Sequence, residues 1–157
     1  VDINSEPKLI HGGVAIDDRG ELRFINDFGF EGVKRFYTVE NHCSHFVRAW
    51  HGHKKEGKYA LVTFGAAIVA IAPLQAFEDY DAGKSDRYTY DQVQRFVLSS
   101  TKPAILWIPP GYANGTKNLT EDTQIMFFST TTMEESAGDD YRYPASYFEQ
   151  VWEIEER

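Results

Sequence analysis

Short apolar runs separated by turn-forming residues fill this chain, and the spacing rarely settles into the repeat of an amphipathic helix. The mixed residues 1–10 around Pro7 predict an entering strand. Asp17-Asp18-Arg19-Gly20 predicts a reversal, because Asp and Gly favour turns, and residues 21–25 a returning strand. Residues 33–39, rich in β-branched and aromatic types, predict another. After a polar break at 41–44 comes the stretch 46–59, which opens as a strand carrying His51 and His53. Residues 59–72 are apolar enough for a buried helix. Gly65 at their centre, with β-branched neighbours, divides them instead into two strands joined at Gly65-Ala66. The polar residues 75–92, with Asp79, Asp81, Gly83 and Ser85, predict the longest loop. Strands resume at 95–98 and 104–108, break at Pro109-Pro110-Gly111, and end with 124–129. The tail predicts one short helix around 146–153.

Many short strands with frequent turn signals predict an all-β fold, an antiparallel barrel or jelly roll with a short C-terminal helical tail. No repeat, low-complexity segment or linker divides the chain, so residues 1–157 read as one domain, long enough to bury its own core. No apolar run is long enough to span a bilayer as a helix. The N-terminus lacks the basic start and apolar region of a signal peptide, which makes the cytoplasm the default expectation. The single cysteine, Cys43, fits a reducing compartment.

Charge changes the picture locally. The net charge of −8 argues against a broad nucleic-acid or anionic-membrane surface. Against that background Lys34, Arg35, Arg48, Lys54, Lys55 and Lys58 concentrate positive charge in one stretch, opposed only by Glu40 and Glu56. Such a stretch can hold a compact anion such as a pyrophosphate, or it can be a solvated basic edge strand. Side chains alternate along a strand, so His51 and His53 share a face with Cα atoms about 6–7 Å apart. Two imidazoles so placed suit metal ligation or proton transfer near neutrality.

A second motif, Trp107-Ile108-Pro109-Pro110-Gly111-Tyr112-Ala113-Asn114-Gly115, joins the histidine strand. Together they resemble the paired motifs of the cupin superfamily, small jelly-roll barrels with the site inside the barrel. In metal-binding cupins of this pattern three or four residues separate His-x-His from a Glu, and the second motif carries a His. Here Glu56 follows His53 after only two residues, and Asn114 stands where that His is expected. Two imidazoles alone would hold a transition metal weakly, so no metal and no other cofactor is expected.

Over nearly its full length the chain resembles the dTDP-4-dehydrorhamnose 3,5-epimerase family. The likeness rests on Asp18-Arg19-Gly20, on Val47-Arg48-Ala49-Trp50-His51 for V-R-G-L-H, and on residues 106–115 for L-W-I-P-x-G-F-A-H-G. It is also similar to the sugar 3,4-ketoisomerases of the same superfamily, through Lys34-Arg35-Phe36-Tyr37 and Arg48-x-x-His51-x-His53-Lys54-Lys55. The resemblance implies a cytoplasmic, metal-independent isomerase acting on a nucleotide-diphosphate 4-keto-6-deoxy sugar in deoxysugar or lipopolysaccharide biosynthesis. It also implies a homodimer whose N-terminal strand completes a neighbouring sheet. The epimerases place a tyrosine acid thirteen residues beyond the second-motif His, and that count lands on Phe127. A non-catalytic sugar-nucleotide binder is therefore a third reading.

A C4 ketone acidifies the protons on C3 and C5, so a neutral His can abstract one while a cation stabilises the enolate. These needs assign His51 as base and His53 or Tyr37 as the group that returns a proton. Returning it to the opposite face of the same carbon epimerises the sugar, and passing it to C4 moves the ketone. Arg48 is the expected pyrophosphate or oxyanion clamp, since its planar fork suits such oxygens. Strict alternation puts Arg48 on the wrong face, so a bulge is needed. Lys58 is a second cation, more ordinarily a surface ion pair. Arg19 binds phosphate by resemblance and is otherwise a turn residue, and Asn114 completes the substrate-binding set. His11, His42 and His45 read as structural, and Trp107, Tyr112 and Trp152 as core.

Overall fold

The computed structural model describes residues 5–83 and 90–157. Its strands are β1 (Lys8–His11), β2 (Gly13–Asp17), β3 (Gly20–Phe24), β4 (Arg35–Glu40), β5 (Val47–His53), β6 (Lys58–Phe64), β7 (Ala66–Pro73), β8 (Gln94–Ser99), β9 (Ala104–Ile108), β10 (Tyr112–Asn118), β11 (Gln124–Ser129) and β12 (Tyr141–Arg142). One antiparallel sheet has the order β1-β9-β6-β11-β4, a second β12-β5-β10-β7-β8, and β2 pairs with β3 as a separate hairpin.

Strand alternation explains why the long apolar run needs two strands. Along β7, Ala67, Val69 and Ile71 point between the sheets, where they meet Ala60, Val62, Leu106, Ile108, Ile125 and Phe127 of the first sheet. Ile68, Ala70 and Ala72 point outward and are buried as well, under Phe77, Phe148 and Trp152. A strand covered on both faces reads as continuously apolar rather than alternating. Gly65 makes the turn between β6 and β7 with φ +76, and a Cβ there would lie 2.4 Å from the Asp122 carbonyl oxygen. On the outer face of the first sheet, Tyr59, Ile105, Trp107 and Phe128 form a third cluster.

The structure corrects several expectations. The 75–92 segment is not one loop, because helix α1 (Leu74–Asp81) begins it and buries Leu74, Ala76 and Phe77 on the second sheet. Ser85, counted in that loop, lies outside the described residues. Residues 5–7 are not strand, the entering strand runs over Lys8–His11, and residues 1–4 of that expectation lie outside the described residues. The tail helix shrinks to a 3-10 turn, Glu149–Trp152, whose Trp152 is buried against the outer cluster. Strand β10 was not expected, because its polar and glycine-rich residues read as a loop. It nonetheless pairs on both sides, with β5 and β7.

Candidate active site

A cavity of about 580 Å³ opens beside the inner faces of β4, β5, β10 and β11, and collects most of the residues singled out in the sequence. Tyr37, Arg48, His51, His53, Lys58 and Asn114 all line it. A second cavity of about 310 Å³, between the β3 end and the outer face of the first sheet, is lined largely by apolar side chains and holds no histidine or carboxylate.

Strand β5 supplies both histidines because Gly52 between them faces the other way. A Cβ at Gly52 would lie 2.5 Å from Leu74 Cδ2, so this position packs against the helix and keeps its neighbours turned inward. The bulge needed for Arg48 is present. Asn114 pairs with His51 and Thr116 with Arg48, which leaves Ala49 and Trp50 opposite the single residue Gly115. The extra residue reverses the alternation and brings Arg48 to the cavity face. There Arg48 Nε donates to Asn41 Oδ1 at 2.5 Å and remains exposed.

His51 is paired in register with Asn114 on one side and with Arg142 of β12 on the other. Burial pushes its imidazole below the ordinary value, and the positive charges of Arg142, Lys58 and His53 push the same way, against Asp140. The ring is therefore neutral at neutral pH, as a base must be. Tyr37 lies directly across the ladder from Phe127, with its ring stacked on it at 5.2 Å. Burial and the Glu56 carboxylate push the phenol up to about 12, against Arg35, so Tyr37 keeps its proton and can give it away. The phenol missing at 127 thus has a counterpart on the adjacent strand.

His53 differs from its expected role. Its Nδ1 donates to the Asp139 carbonyl, and its Nε2 lies 3.3 Å from Glu56 Oε2. One ring nitrogen is bonded to the tail and the other lies against Glu56, an arrangement that favours Tyr37 as the group that returns a proton. Lys58 is not a surface ion-pair residue. It is 5% exposed, with Nζ 5.7 Å from the centre of the Phe127 ring. Burial lowers its ammonium from the ordinary lysine value. Asn114 is buried and its Oδ1 has no hydrogen-bond partner, so an acceptor waits in the cavity wall. Arg19 is not brought to the cavity: it sits at the tip of the β2–β3 hairpin, its side chain 87% exposed and bonded to Asp17.

Sequence reasoning missed the wall contributed by the tail. Asp139 accepts from the backbone N–H groups of Lys54, Lys55 and Glu56 at 2.8, 2.9 and 3.2 Å, which fixes the tail to the end of the histidine strand. Asp140 and Arg142, paired at 2.9 Å, then border the cavity. The only signal was the compact charged run Asp139-Asp140-Tyr141-Arg142. Among the described residues no three His, Cys, Asp or Glu side chains converge as metal ligands. With Glu56 committed to Arg35, Ser129 and His53, and Asn114 replacing an imidazole, the residues present do not fit a metal centre.

No protein-family model matches the chain, and no curated protein matches it. Solved structures do. A dTDP-4-dehydrorhamnose 3,5-epimerase from Bacillus anthracis, with TDP and PPi bound, superposes with a TM-score of 0.70 at 20% identity, over 93% of this chain and 82% of that one. A 3,4-ketoisomerase from Thermoanaerobacterium thermosaccharolyticum, in complex with TDP-4-keto-6-deoxyglucose, gives 0.64 at 18% identity over 92% and 93%. A 3'-monoepimerase from Streptomyces bikiniensis, in complex with dTDP-quinovose, gives 0.70 at 11% identity over 94% and 73%. The chain therefore has the all-β cupin jelly-roll fold that these epimerases and ketoisomerases share.

Proposed function

We propose that the protein is an epimerase of a nucleotide-diphosphate 4-keto-6-deoxy sugar. The observation that carries this reading is the convergence on one cavity of His51, whose imidazole lies below its ordinary value, a phenol held up to about 12, Tyr37, and a buried lysine, Lys58. In the proposed cycle His51 takes the proton from a carbon next to the ketone, Lys58 stabilises the enolate oxygen, and Tyr37 protonates the same carbon from its opposite face. His51 ends protonated and Tyr37 ionised, and exchange with solvent resets both. Arg48 at the rim suits the diphosphate, and the unpartnered Asn114 Oδ1 suits a sugar hydroxyl.

One observation favours a second reading, a 3,4-ketoisomerase. Among the described residues Tyr37 is the only phenol that lines the cavity, because position 127 is a phenylalanine. A single acid suits one proton relocation better than inversion at two carbons. Incubation with a 4-keto-6-deoxy sugar nucleotide in D₂O, followed by NMR, separates the readings. Deuterium at C3 or C5 with the ketone still at C4 is expected, a ketone moved to C3 shows the isomerase, and no label at all means a binder.

We also propose a homodimer built through the β2–β3 hairpin. Ile16 and Leu22 on that hairpin are 76% and 64% exposed, more apolar surface than a free hairpin needs, and a partner's sheet would cover it. Dimerisation would also give Arg19 a neighbouring cavity to reach. Sedimentation as a monomer at micromolar concentration would contradict this part.

A further inference from the structure

The end of the cavity beneath His51 holds several cations and one buried carboxylate. Glu56 is 3% exposed. Its Oε1 accepts from the Ser129 hydroxyl at 2.5 Å and from Arg35 Nη2 at 3.0 Å, while Oε2 faces His53 Nε2 at 3.3 Å. Since a carbonyl only accepts, His53 Nδ1 carries hydrogen towards Asp139. Two further donors, Ser129 and Arg35, meet the other oxygen of Glu56, so both its oxygens are in use.

Lys58 shares this enclosure. The charged and titratable groups that line it with Lys58 are Arg35 and Tyr37 from β4, Arg48, His51 and His53 from β5, Glu56 from the β5–β6 turn, Asp140 ahead of β12 and Arg142 within it. Only two of these are anions. Asp140 is exposed and already paired with Arg142, so Glu56 is the one buried counter-charge. Burial works against the Lys58 ammonium, and Glu56 is the strongest influence in its favour.

We propose that Glu56 is a positioning residue whose negative charge keeps Lys58 an ammonium and whose second oxygen occupies His53, leaving His51 as the one free base. The charge state of Lys58 is argued from the shared enclosure, in which Glu56 is the one buried counter-charge. Its use against an enolate rests on the function proposed above. Glu56→Gln isolates the charge, because the amide oxygen can still accept from Ser129 and Arg35 and the amide nitrogen can donate to a neutral His53.

The test follows the Lys58 side-chain ¹³Cε and ¹⁵Nζ signals of labelled, substrate-free protein through an alkaline titration. In the unaltered protein Lys58 is expected to be an ammonium at neutral pH. In Glu56→Gln its midpoint is expected to fall by about 1 pH unit or more, the size of effect that a close opposite charge exerts. Glu56→Asp should restore most of that loss, and Ser129→Ala, which removes a hydrogen bond but no charge, should leave the midpoint in place. A neutral Lys58 amine in the unaltered protein, a measurement that needs no variant, overturns the inference. So does an unmoved midpoint in folded Glu56→Gln. Because no substrate is present, these results are independent of the sugar assay. A displaced Lys58 midpoint in a protein that labels no sugar overturns the function and leaves the role of Glu56 standing.

Discussion

His51→Asn is expected to lower deuterium incorporation into a 4-keto sugar nucleotide by about 10²–10⁴-fold, the usual contribution of a general base. Asn matches the imidazole in part and can still hydrogen-bond, so the fold should survive while proton abstraction is lost. The pH profile of the unaltered enzyme is expected to carry the same signature. In the proposed cycle His51 works as the neutral ring, so activity should rise with pH through its titration, and burial with nearby positive charge places that rise below the ordinary imidazole value of 6.5. Tyr37 stays protonated until about 12, so the loss of activity at high pH belongs to another group, and Lys58 is the candidate. His53→Asn is expected to differ in kind. With both its nitrogens tied to Asp139 and Glu56, its loss would loosen the tail wall and reduce exchange and product together, whereas a proton donor to the carbanion would leave exchange intact. Retained exchange in folded His51→Asn sinks the assignment.

Lys58→Met comes next in size. An apolar side chain of similar length fits the buried position over Phe127, so the change removes charge with little loss of packing. Removing one preorganised group that stabilises an oxyanion costs about 10²–10³-fold in kcat, with the effect on KM much smaller. A second readout follows from the sign of the coupling. The Lys58 charge disfavours the His51 imidazolium, so its removal moves the His51 titration up, and the rise of activity with pH moves up with it. A kcat within threefold of the parent would show that Lys58 does not meet the developing charge.

How far this was readable before the fold was known depended on which physical signal each residue carried. Strands β9 and β11 were legible to the residue, because their apolar runs have sharp borders. Strand β10 was not, because its inward side chains face a polar cavity rather than a core. Tyr112-Ala113-Asn114-Gly115-Thr116-Lys117-Asn118 has the composition of a loop, and its strand character comes from pairing with neighbours far away in sequence. Helix α1 was hidden for a related reason, since only Leu74, Ala76 and Phe77 mark its buried side. The histidine pair was found by period-two spacing. Spacing says which face a ring is on but nothing about what holds its nitrogens, so the commitment of His53 to Asp139 and Glu56 could not be foreseen. The burial of Lys58 was equally invisible, because lysine is ordinarily an exposed residue.

The order of the strands bears on how the protein reaches its working state. In neither sheet are sequence neighbours usually spatial neighbours: β4 lies beside β11, β9 between β1 and β6, and β12 beside β5. Chains dominated by such distant pairings pay loop-closure entropy before the contacts repay it, and fold in milliseconds to seconds rather than microseconds. The cavity draws on Tyr37, His51, Lys58, Asn114, Phe127 and Arg142, so no early hairpin contains more than a fragment of it. On refolding, a complete cavity is a late event that waits for both sheets to close and for the tail to seat on Lys54, Lys55 and Glu56. Ribosomal synthesis imposes the same order in time, because the wall at Asp139–Arg142 emerges only after every other strand that lines the cavity.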